Sequence, residues 1–450
     1  MFKRVVATIA ACTIAAATAV TPARAQSDDR LSLIRDTEVE NTIRTFGTPL
    51  WKAAGLTPSS IHIILVNDRT LNAFVAGGQN LFINTGLLIR ADSAGEVIGV
   101  IAHETGHMAG GHLARMPEAM RNAMFTSLIA MALGALGGVA GGGGSVGAAG
   151  VVGGMSMGER NLFAFSRSVE NAADQAGMTF LDMTGQSARG MLQFMEVLSH
   201  KEVLSSVQQD PYLRTHPLTS ERIDAIRYHV EHSRYSDVPV PPELERLDRR
   251  MRAKLAAFLD PPSQTLAAYS ASDTSLEARY ARAIAYYRIP DLKSALPLID
   301  GLIAEYPKDP YFYELRSQML FENGKVADAL PAQREAVALL PDAALMRVDL
   351  AHIELELNDP SLVPDAEQNL TLASRVEPDL PDLWRLLAVA QGRNGDIGQA
   401  AVALAEQALL EGRRLDARDQ ARRAMRMLPV GSPGWLKAQD VEGQALRSRE

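Results

Sequence analysis

Two histidines and a glutamate in one short stretch have the spacing of a zinc-dependent hydrolase. The sequence reads His103-Glu104-Thr105-Gly106-His107, so the two histidines are four residues apart. Residues four apart on a helix project from nearly the same face, and both imidazoles can then bind one zinc ion. Glu104 would lie beside them, where a carboxylate can take a proton from water at the metal. The motif predicts one zinc ion per chain and amide hydrolysis, against the alternative of two buried histidines bonded to carbonyl groups.

A catalytic zinc ion needs a third protein ligand, and the sequence offers two places for it. In the metzincin pattern a third histidine follows the second by six residues, but Leu113 occupies that position and His112 is one residue short. A later helical segment carries Glu170 and Asp174, which are four residues apart and share one face. There Glu170 could bind the metal while Asp174 bonds a ligand or the reacting group. A solvated, ordinary Glu170 is the competing interpretation, because carboxylates are common on helices.

The surrounding pattern predicts the elements that must position these side chains. Three apolar, strand-like segments separated by turn residues lie at 61–66, 71–76 and 81–84. Ser93 and Glu96 then have the spacing of a capping box, which predicts that the helix with the His-Glu motif begins there. Residues 161–184 have the pattern of a second helix. We therefore expect a small sheet followed by two helices that hold the metal jointly.

Taken together, these motifs closely resemble those of the BepA-like periplasmic metalloproteases, relatives of the HtpX and prenyl-protein (CAAX) endopeptidases. Besides the two metal motifs, the matching segments are Asn72-Ala73-Phe74, Gly77-Gly78, Gly86-Leu87-Leu88, Ser166-Arg167, Thr215-His216-Pro217 and Ser220-Glu221-Arg222. A protease domain followed by tetratricopeptide repeats is also this family's architecture, so the resemblance covers nearly all of the chain after residue 25. It implies a mainly helical, zincin-type α+β domain.

The resemblance also implies a role for each matching residue. The zinc ligands would be His103, His107 and Glu170. Glu104 would be the general base, and Asp174 a proton donor or a group that supports a ligand. His216 would lie near the metal, either as a reversible fourth ligand that keeps the enzyme latent or as a donor to the transition state. A turn histidine without metal contact is the simpler alternative for His216.

Composition limits the classes of protein that this chain can be. It has 450 residues, 47% hydrophobic and 22% charged, which is ordinary for folded soluble protein and corresponds to two or three domains. The 53 acidic side chains outnumber the 45 basic ones, and this balance argues against a nucleic-acid partner, which would need a basic face.

The first 25 residues have the pattern of a secretory signal peptide. Lys3 and Arg4 precede a charge-free stretch, and Ala23-Arg24-Ala25 offers a cleavage site with small residues. Export to a bacterial periplasm is therefore expected. The alternative is a lipid anchor at Cys12, since residues 9–12 resemble a lipobox, although that choice leaves only a short apolar stretch before the cysteine.

The C-terminal part of the chain repeats itself. Four alanines with successive spacings of 34, 37 and 34 residues are Ala295, Ala329, Ala366 and Ala400. A period of 34 residues is that of tetratricopeptide repeats, in which pairs of antiparallel helices stack into a superhelix with a concave groove. The extra three residues lie around 360–364. An unrelated helical bundle is the alternative. We expect an all-α solenoid that holds a partner or an extended peptide.

The chain then divides into four blocks. They are a signal peptide at 1–25, a metalloprotease domain at 26–235, a proline-rich linker with one helix at 236–262, and the repeats at 263–450. Within the protease block, residues 122–158 are rich in glycine and contain no charged residue, and they lie between the two metal helices. We interpret this segment as a lid over the cleft, with peripheral contact to a membrane or an outer-membrane partner and a transmembrane pass as alternatives.

Two functions from different classes fit this organisation. The first is a periplasmic zinc endopeptidase that cleaves misfolded or stalled outer-membrane proteins, with the repeats binding polypeptide clients or the assembly machinery. The quality-control part of this hypothesis comes from the resemblance alone. The second is a chaperone or assembly adaptor whose protease site is mostly latent. The full ligand set together with Glu104 favours the enzyme, because a scaffold does not need a general base.

Overall fold

The computed structural model describes residues 32–111, 157–204 and 216–447. This part of the chain is mainly helical and contains one small sheet, as expected for the α+β class. The predicted signal peptide, with Cys12, lies outside the described residues, and so do residues 122–156 of the glycine-rich segment. Within the described ranges, the length and apolar character needed to cross a membrane do not occur together in any helix.

The sheet has four strands and is mixed. They are β1 (Leu33–Ile34), β2 (His62–Val66), β3 (Ala73–Ala76) and β4 (Asn80–Asn84). In the sheet the order is β1-β2-β4-β3; β2 and β4 run parallel, and the two outer pairings are antiparallel. The strand β3 therefore forms one edge of the sheet. Its register pairs Phe74 with Phe82 and Ala73 with Ile83.

Six helices accompany the sheet in the described N-terminal region. They are α1 (Thr37–Ala53), α2 (Thr85–Arg90), α3 (Ala94–Gly110), α4 (Met157–Met183), α5 (Arg189–Leu204) and α6 (Ser220–His232). The helix α3 is the centre of this region and packs against α1, α4 and α5. Its side chains from Glu96 to His107 are all buried, so the His-Glu motif lies inside the core rather than on a solvated face.

A long helix, α7 (Pro242–Leu259), joins this region to the rest of the chain. Met251 belongs to the core around α3, whereas Ala253 and Ala257 belong to the core of the following helices. The helix predicted inside the proline-rich linker is therefore buried on two sides.

The C-terminal region consists of consecutive helices joined by short corners. They are α8 (Pro262–Ala268), α9 (Leu276–Arg288), α10 (Leu292–Glu305), α11 (Pro310–Glu322), α12 (Val326–Leu339), α13 (Ala344–Glu356), α14 (Val363–Ala373), α15 (Pro381–Arg393), α16 (Ile397–Leu410), α17 (Arg414–Met427) and α18 (Pro433–Arg447). From α9 onward each helix packs against the next.

Small and flexible residues occupy corresponding positions in this region. The four periodic alanines are buried, one each in α10, α12, α14 and α16. Gly324 and Gly395 both have positive φ, 73° and 86°, and both follow the first helix of a pair. A left-handed residue at that position ends one helix and turns the chain into the next, which explains the repeated Asn-Gly dipeptide.

Candidate metal centre

Local sequence fixes both ends of the helix that carries the His-Glu motif. The hydroxyl of Ser93 accepts a hydrogen bond from Glu96 N–H at 3.3 Å, as the predicted capping box requires. The Glu96 carboxylate, however, accepts from Asp92 N–H at 3.1 Å, one residue before the cap. At the other end Gly111 is left-handed, with φ 58°, and closes the helix four residues after His107.

Glycines allow α3 and α4 to approach closely beside the histidines. A Cβ atom built on Gly106 would lie 2.4 Å from the carbonyl oxygen of Ala173, and one built on Gly177 would lie 3.0 Å from the backbone of Ala102. Neither contact is compatible with a larger side chain at normal packing distances. The two backbones can therefore come close enough for side chains on both helices to share one centre.

Three imidazoles and one carboxylate form a buried cluster. One ligand atom from each of His103, His107, Glu170 and His216 lies within 4.8 Å of all the others. The Nε2 atoms of His103 and His107 are 3.1 Å apart, and His103 Nε2 is 3.3 Å from His216 Nδ1. The Glu170 oxygens lie 3.4 Å from the Nε2 atoms of His103 and His107 and 3.2 Å from His216 Nδ1.

This donor set fits a tetrahedral zinc ion. Ligand atoms about 2.0–2.1 Å from a tetrahedral ion lie about 3.3–3.4 Å from one another, close to the separations in the cluster. Imidazole nitrogens and a carboxylate oxygen are also the ligands that zinc prefers. The convergence of three imidazole nitrogens and one carboxylate oxygen on a single buried point therefore suits a bound cation.

Asp174 lies on the far side of the His103 ring from this cluster. His103 donates from Nδ1 to Asp174 Oδ1 at 2.8 Å, which leaves Nε2 with its lone pair facing the other donors. Burial acts to lower the pKa of His103, but the bonds to Asp174 and Glu170 outweigh it and raise this pKa to about 10, so the surroundings of the ring favour a positive charge at Nε2, from a proton or from a metal ion. The contact thus fixes both the tautomer and the orientation of the ring.

The carboxylates of α4 are held in their charged form. Burial alone would raise the pKa of Glu170, but His216 and His103 outweigh it and hold that pKa well below its ordinary value. Burial also acts to raise the pKa of Asp174, and bonds from Arg222 and His103 reverse the direction. Both groups therefore carry negative charge next to the imidazoles.

Glu104 is buried beside the cluster but bonds to none of its members. Neither carboxylate oxygen has a hydrogen-bond partner among the described residues, and His216 Nε2 lies 3.5 Å from Oε1. Burial raises the pKa of Glu104, although the charges on His216 and His103 act in the opposite direction. A buried, unsatisfied carboxylate is costly to maintain, which marks this side chain as one kept for chemistry.

His216 connects the cluster to the edge of the sheet. Its Nδ1 faces His103 and Glu170, while its Nε2 donates to the carbonyl oxygen of Ala73 at 3.2 Å. The carbonyl oxygen of Asn72 accepts from Asn84 N–H at 2.9 Å, and alternate residues of an antiparallel strand face opposite edges, so the backbone groups of Ala73 point to the free edge of β3. The sequence placed His216 near the metal only by resemblance, and its contact with the sheet has no sequence signal.

One buried residue of the site received no role from the sequence. Arg222, at the start of α6, is only 1% exposed and contacts both Asp174 and Glu170. Its position three residues after the helix cap Thr219 would equally suit a solvated arginine. The only available hint was its membership in the family-like segment that follows His216.

Comparisons with known proteins indicate a metalloprotease. Residues 37–230 match the family model described as "Peptidase family M48". The chain is 26% identical over 387 residues to the Beta-barrel assembly-enhancing protease of Yersinia pestis, covering 85% of this chain and 78% of the relative. It is 24% identical over 399 residues to the protein of the same name from Escherichia coli (strain K12), covering 85% and 77%.

Solved structures add a weaker likeness. One of them, MamA AMB-1, aligns with 36% of this chain and 98% of its own at 16% identity, with a TM-score of 0.32.

The family match and the curated relatives confirm the resemblance inferred from the motifs and the predicted enzyme class, a metalloprotease. The buried donor cluster together with the family match confirms the predicted metal cofactor, one zinc ion.

Proposed function

We propose that this metalloprotease, whose residues 37–230 match the model of peptidase family M48, cleaves misfolded or stalled outer-membrane proteins in the periplasm. The observation that carries the proposal is the buried donor cluster beside the unbonded carboxylate of Glu104. Two curated relatives are named for enhancing β-barrel assembly, and barrels of that kind are outer-membrane proteins in bacteria.

In this proposal the zinc ligands are His103, His107 and Glu170, with His216 as a fourth donor. When bound, zinc supplies a Lewis acid that polarises a peptide carbonyl and makes water acidic at neutral pH. Glu104 accepts the proton of the attacking water, because its carboxylate lies at the cluster without a competing hydrogen bond. The raised pKa of Glu104 suits a group that must hold a proton and then pass it to the leaving amine.

Asp174 acts on His103 rather than on the substrate. Both of its oxygens are occupied, Oδ1 by His103 and Arg222 and Oδ2 by Arg222. A carboxylate on the far side of the ring cannot reach a leaving group at the metal. Of the two roles implied by the resemblance, these contacts favour support of a ligand over proton donation.

The substrate chain pairs with the edge strand β3 next to the site. Ala73 offers its carbonyl oxygen at this free edge, where an extended peptide can add as a further strand. Main-chain pairing tolerates many side chains, which suits an enzyme whose substrates share an unfolded state rather than a sequence. In the structure the His216 imidazole donates a hydrogen bond to the carbonyl oxygen of Ala73, so a substrate strand can pair with this oxygen only after that hydrogen bond has broken.

The wider organisation belongs to the same proposal. A cleaved signal peptide at residues 1–25 would deliver the protein to the periplasm. The protease domain would span 26–235, and the segment at 236–262 would join it to repeats at 263–450. The paired helices, buried periodic alanines and Asn-Gly corners support tetratricopeptide repeats, which would bind clients or the outer-membrane assembly machinery. Residues 122–158 would cover the cleft or touch a membrane.

The test uses purified full-length protein with an outer-membrane β-barrel protein, presented unfolded or folded in lipid vesicles. We expect cleavage of the unfolded form, loss of cleavage with a zinc chelator, and recovery on adding zinc. No cleavage of any unfolded barrel protein by zinc-loaded protein would contradict the proposal. Full rescue of a strain that lacks the protein by the Glu104→Gln variant would instead favour the chaperone or adaptor function.

A further inference from the structure

We infer that Arg222 is the positioning residue of the metal centre: it holds Glu170, Asp174 and the turn before α6 in the geometry that the metal needs. The inference rests on the proposed function, because it concerns the same centre. Arg222 is among the largest fully buried side chains of the described residues, and it lies at the point where α4 meets α6.

The guanidinium grips Asp174 with two parallel hydrogen bonds. Arg222 Nε donates to Oδ2 at 2.6 Å, and a terminal nitrogen donates to Oδ1 at 2.9 Å. Because Oδ1 also accepts the Nδ1 proton of His103, any rotation of Asp174 would turn the imidazole away from the cluster. Arg222 thus acts on a metal ligand through one intervening carboxylate.

The other terminal nitrogen reaches two further groups. It lies 3.1 Å from Glu170 Oε2, and it donates to the carbonyl oxygen of Pro217 at 2.9 Å. Pro217 directly follows His216, so this bond fixes the turn from which the third imidazole projects. A single side chain therefore contacts one ligand directly and holds the supports of two others.

The charge of Arg222 also balances the carboxylates that it contacts. Glu170 and Asp174 face the same way on adjacent turns of α4, and like charges at that spacing repel. A buried guanidinium that contacts both carboxylates offsets this repulsion. Lysine could supply the charge, but only the planar fork of arginine reaches two carboxylates and a carbonyl group together.

The backbone of Arg222 is held as firmly as its side chain. The hydroxyl of Thr219, the cap of α6, accepts from Arg222 N–H at 3.3 Å. The fork therefore starts from a fixed point and cannot follow the carboxylates if they move. This arrangement distinguishes a positioning residue from a long side chain that merely fills space.

The experiment measures the affinity of the full-length protein for Zn²⁺ by competition with a chromophoric chelator. We expect Arg222→Gln to raise the Kd for zinc about 10–100-fold and Arg222→Lys to raise it by a smaller factor. The matched control is Arg227→Gln on the same helix, because Arg227 forms partly exposed pairs with Glu196 and Asp224 and should leave the Kd unchanged.

Circular dichroism of each metal-free variant separates positioning from folding. If folded Arg222→Gln binds zinc as tightly as the wild type, the inference is wrong and Arg222 only stabilises the fold. If Arg222→Gln does not fold, Arg222→Lys decides: weaker zinc binding supports the inference, and unchanged binding overturns it. Failure of the wild type itself to bind zinc or cleave protein would contradict the proposed function instead.

Discussion

Among the residues of the site, Glu104 has the least favourable environment, because its carboxylate is buried without a hydrogen-bond partner among the described residues. Leaving a buried carboxylate without a partner costs roughly 1–3 kcal/mol or more, because the group has given up its water. Two of its neighbours, His103 and His107, belong to the same helix and converge on the metal cluster, and Glu104 does not. The fold thus tolerates a locally unfavourable group directly beside the donor cluster.

Replacement of Glu104 by glutamine should separate metal binding from catalysis. Glutamine keeps the shape but cannot accept the proton, so we expect proteolysis to fall about 10²–10⁴-fold while bound zinc stays at one per chain. Metal analysis and a peptide-cleavage assay check this. Glu221→Gln, an exposed glutamate on α6, should cleave like the wild type. Cleavage by Glu104→Gln at the wild-type rate would remove Glu104 from its role.

How well a contact between two residues of the site could be predicted from the sequence depends on how far apart they lie along the chain. The pairing of His103 with His107 could be predicted, since it follows from the pitch of one helix. The contact of His103 with Asp174 joins residues 71 positions apart, and that of Asp174 with Arg222 joins residues 48 apart. No periodicity encodes such distances, and for Arg222 the resemblance supplied a position without a role.

At the scale of elements, the approach of α3 to α4 determines whether the donors can meet. Gly106 makes this contact, and alanine there would place a Cβ atom against the backbone of Ala173. We expect Gly106→Ala to lower the free energy of unfolding by about 1–3 kcal/mol and to weaken zinc binding, because the helices must move apart. Urea unfolding and the zinc competition assay measure the two effects.

Gly301→Ala on α10 is the matched control for that substitution. A Cβ atom on Gly301 meets nothing within 4 Å, so the change should stabilise the helix by about 0.5–1 kcal/mol and leave zinc affinity unaltered. Equal effects of the two alanine variants would mean that the contact between α3 and α4 is not the cause.

A second prediction for an element concerns the pH dependence of stability. Asp248 on α7 is fully buried, and burial raises its pKa to about 7, from about 3.9 in an unfolded chain. The folded protein therefore binds the extra proton, and its free energy of unfolding falls as the pH rises from about 4 to about 7 and levels off above that range. The charged groups facing Asp248 are Arg252, Glu245, Arg249 and Glu96.

Replacement of the Asp248 carboxylate should weaken the dependence of the unfolding free energy on pH. Between pH 5 and pH 8 we expect the unfolding free energy of the wild type to fall by about 2 kcal/mol more than that of Asp248→Asn. Urea titrations of both proteins at pH 5, 6, 7 and 8 give the comparison. Parallel profiles would show that Asp248 is ionised throughout this range.

Long, strongly patterned elements could be predicted better than short ones. The strand expected at 61–66 occurs at His62–Val66, and the helix expected at 161–184 occurs at Met157–Met183. By contrast, no sequence pattern predicted the two-residue strand β1, because it is too short to show an alternation of apolar and polar residues. The capping box predicted a hydrogen bond from Ser93 N–H to the Glu96 carboxylate, but the donor is Asp92 N–H. The sequence could not predict this difference, because it does not specify which of two adjacent backbone amides a carboxylate reaches.

For the whole molecule, a buried network of charges connects the protease region to the C-terminal helices. Glu38 of α1 pairs with Arg250 of α7 at 2.5 Å and accepts from the Tyr280 hydroxyl of α9 at 2.8 Å. Arg250 also bonds Asp309, at the start of α11. Burial acts to raise the pKa of Glu38, but Arg250 and Lys254 outweigh it and lower that pKa, so the group remains charged.

Neutralising Glu38 should loosen this junction. Glu38→Gln leaves buried cations without full compensation, and we expect a loss of about 3–5 kcal/mol in unfolding free energy together with faster proteolytic cutting near α7. Thermal unfolding and limited proteolysis by trypsin are the measurements. Glu243→Gln on the exposed side of the same helix is the control and should behave like the wild type. If both variants do, the network does not couple the two regions.

Composition and repeats indicated two regions, but not how they touch. The proline-rich block suggested a spacer, since prolines and charges are typical of linkers. In the structure its helix contributes side chains to two cores, and Arg35 near β1 binds Glu377 across 342 residues of sequence. Contacts of this range follow from tertiary packing that a single sequence does not display.

The dispersal of the donors along the chain has a consequence for biosynthesis. The three stretches that supply them lie at residues 103–107, 170 and 216, so three donors are available only after residue 170 and all four only after residue 216. A growing polypeptide therefore cannot assemble the three-donor set before residue 170 has been made, or the four-donor set before residue 216 has been made. Any cleavage that depends on these donors therefore starts late in synthesis.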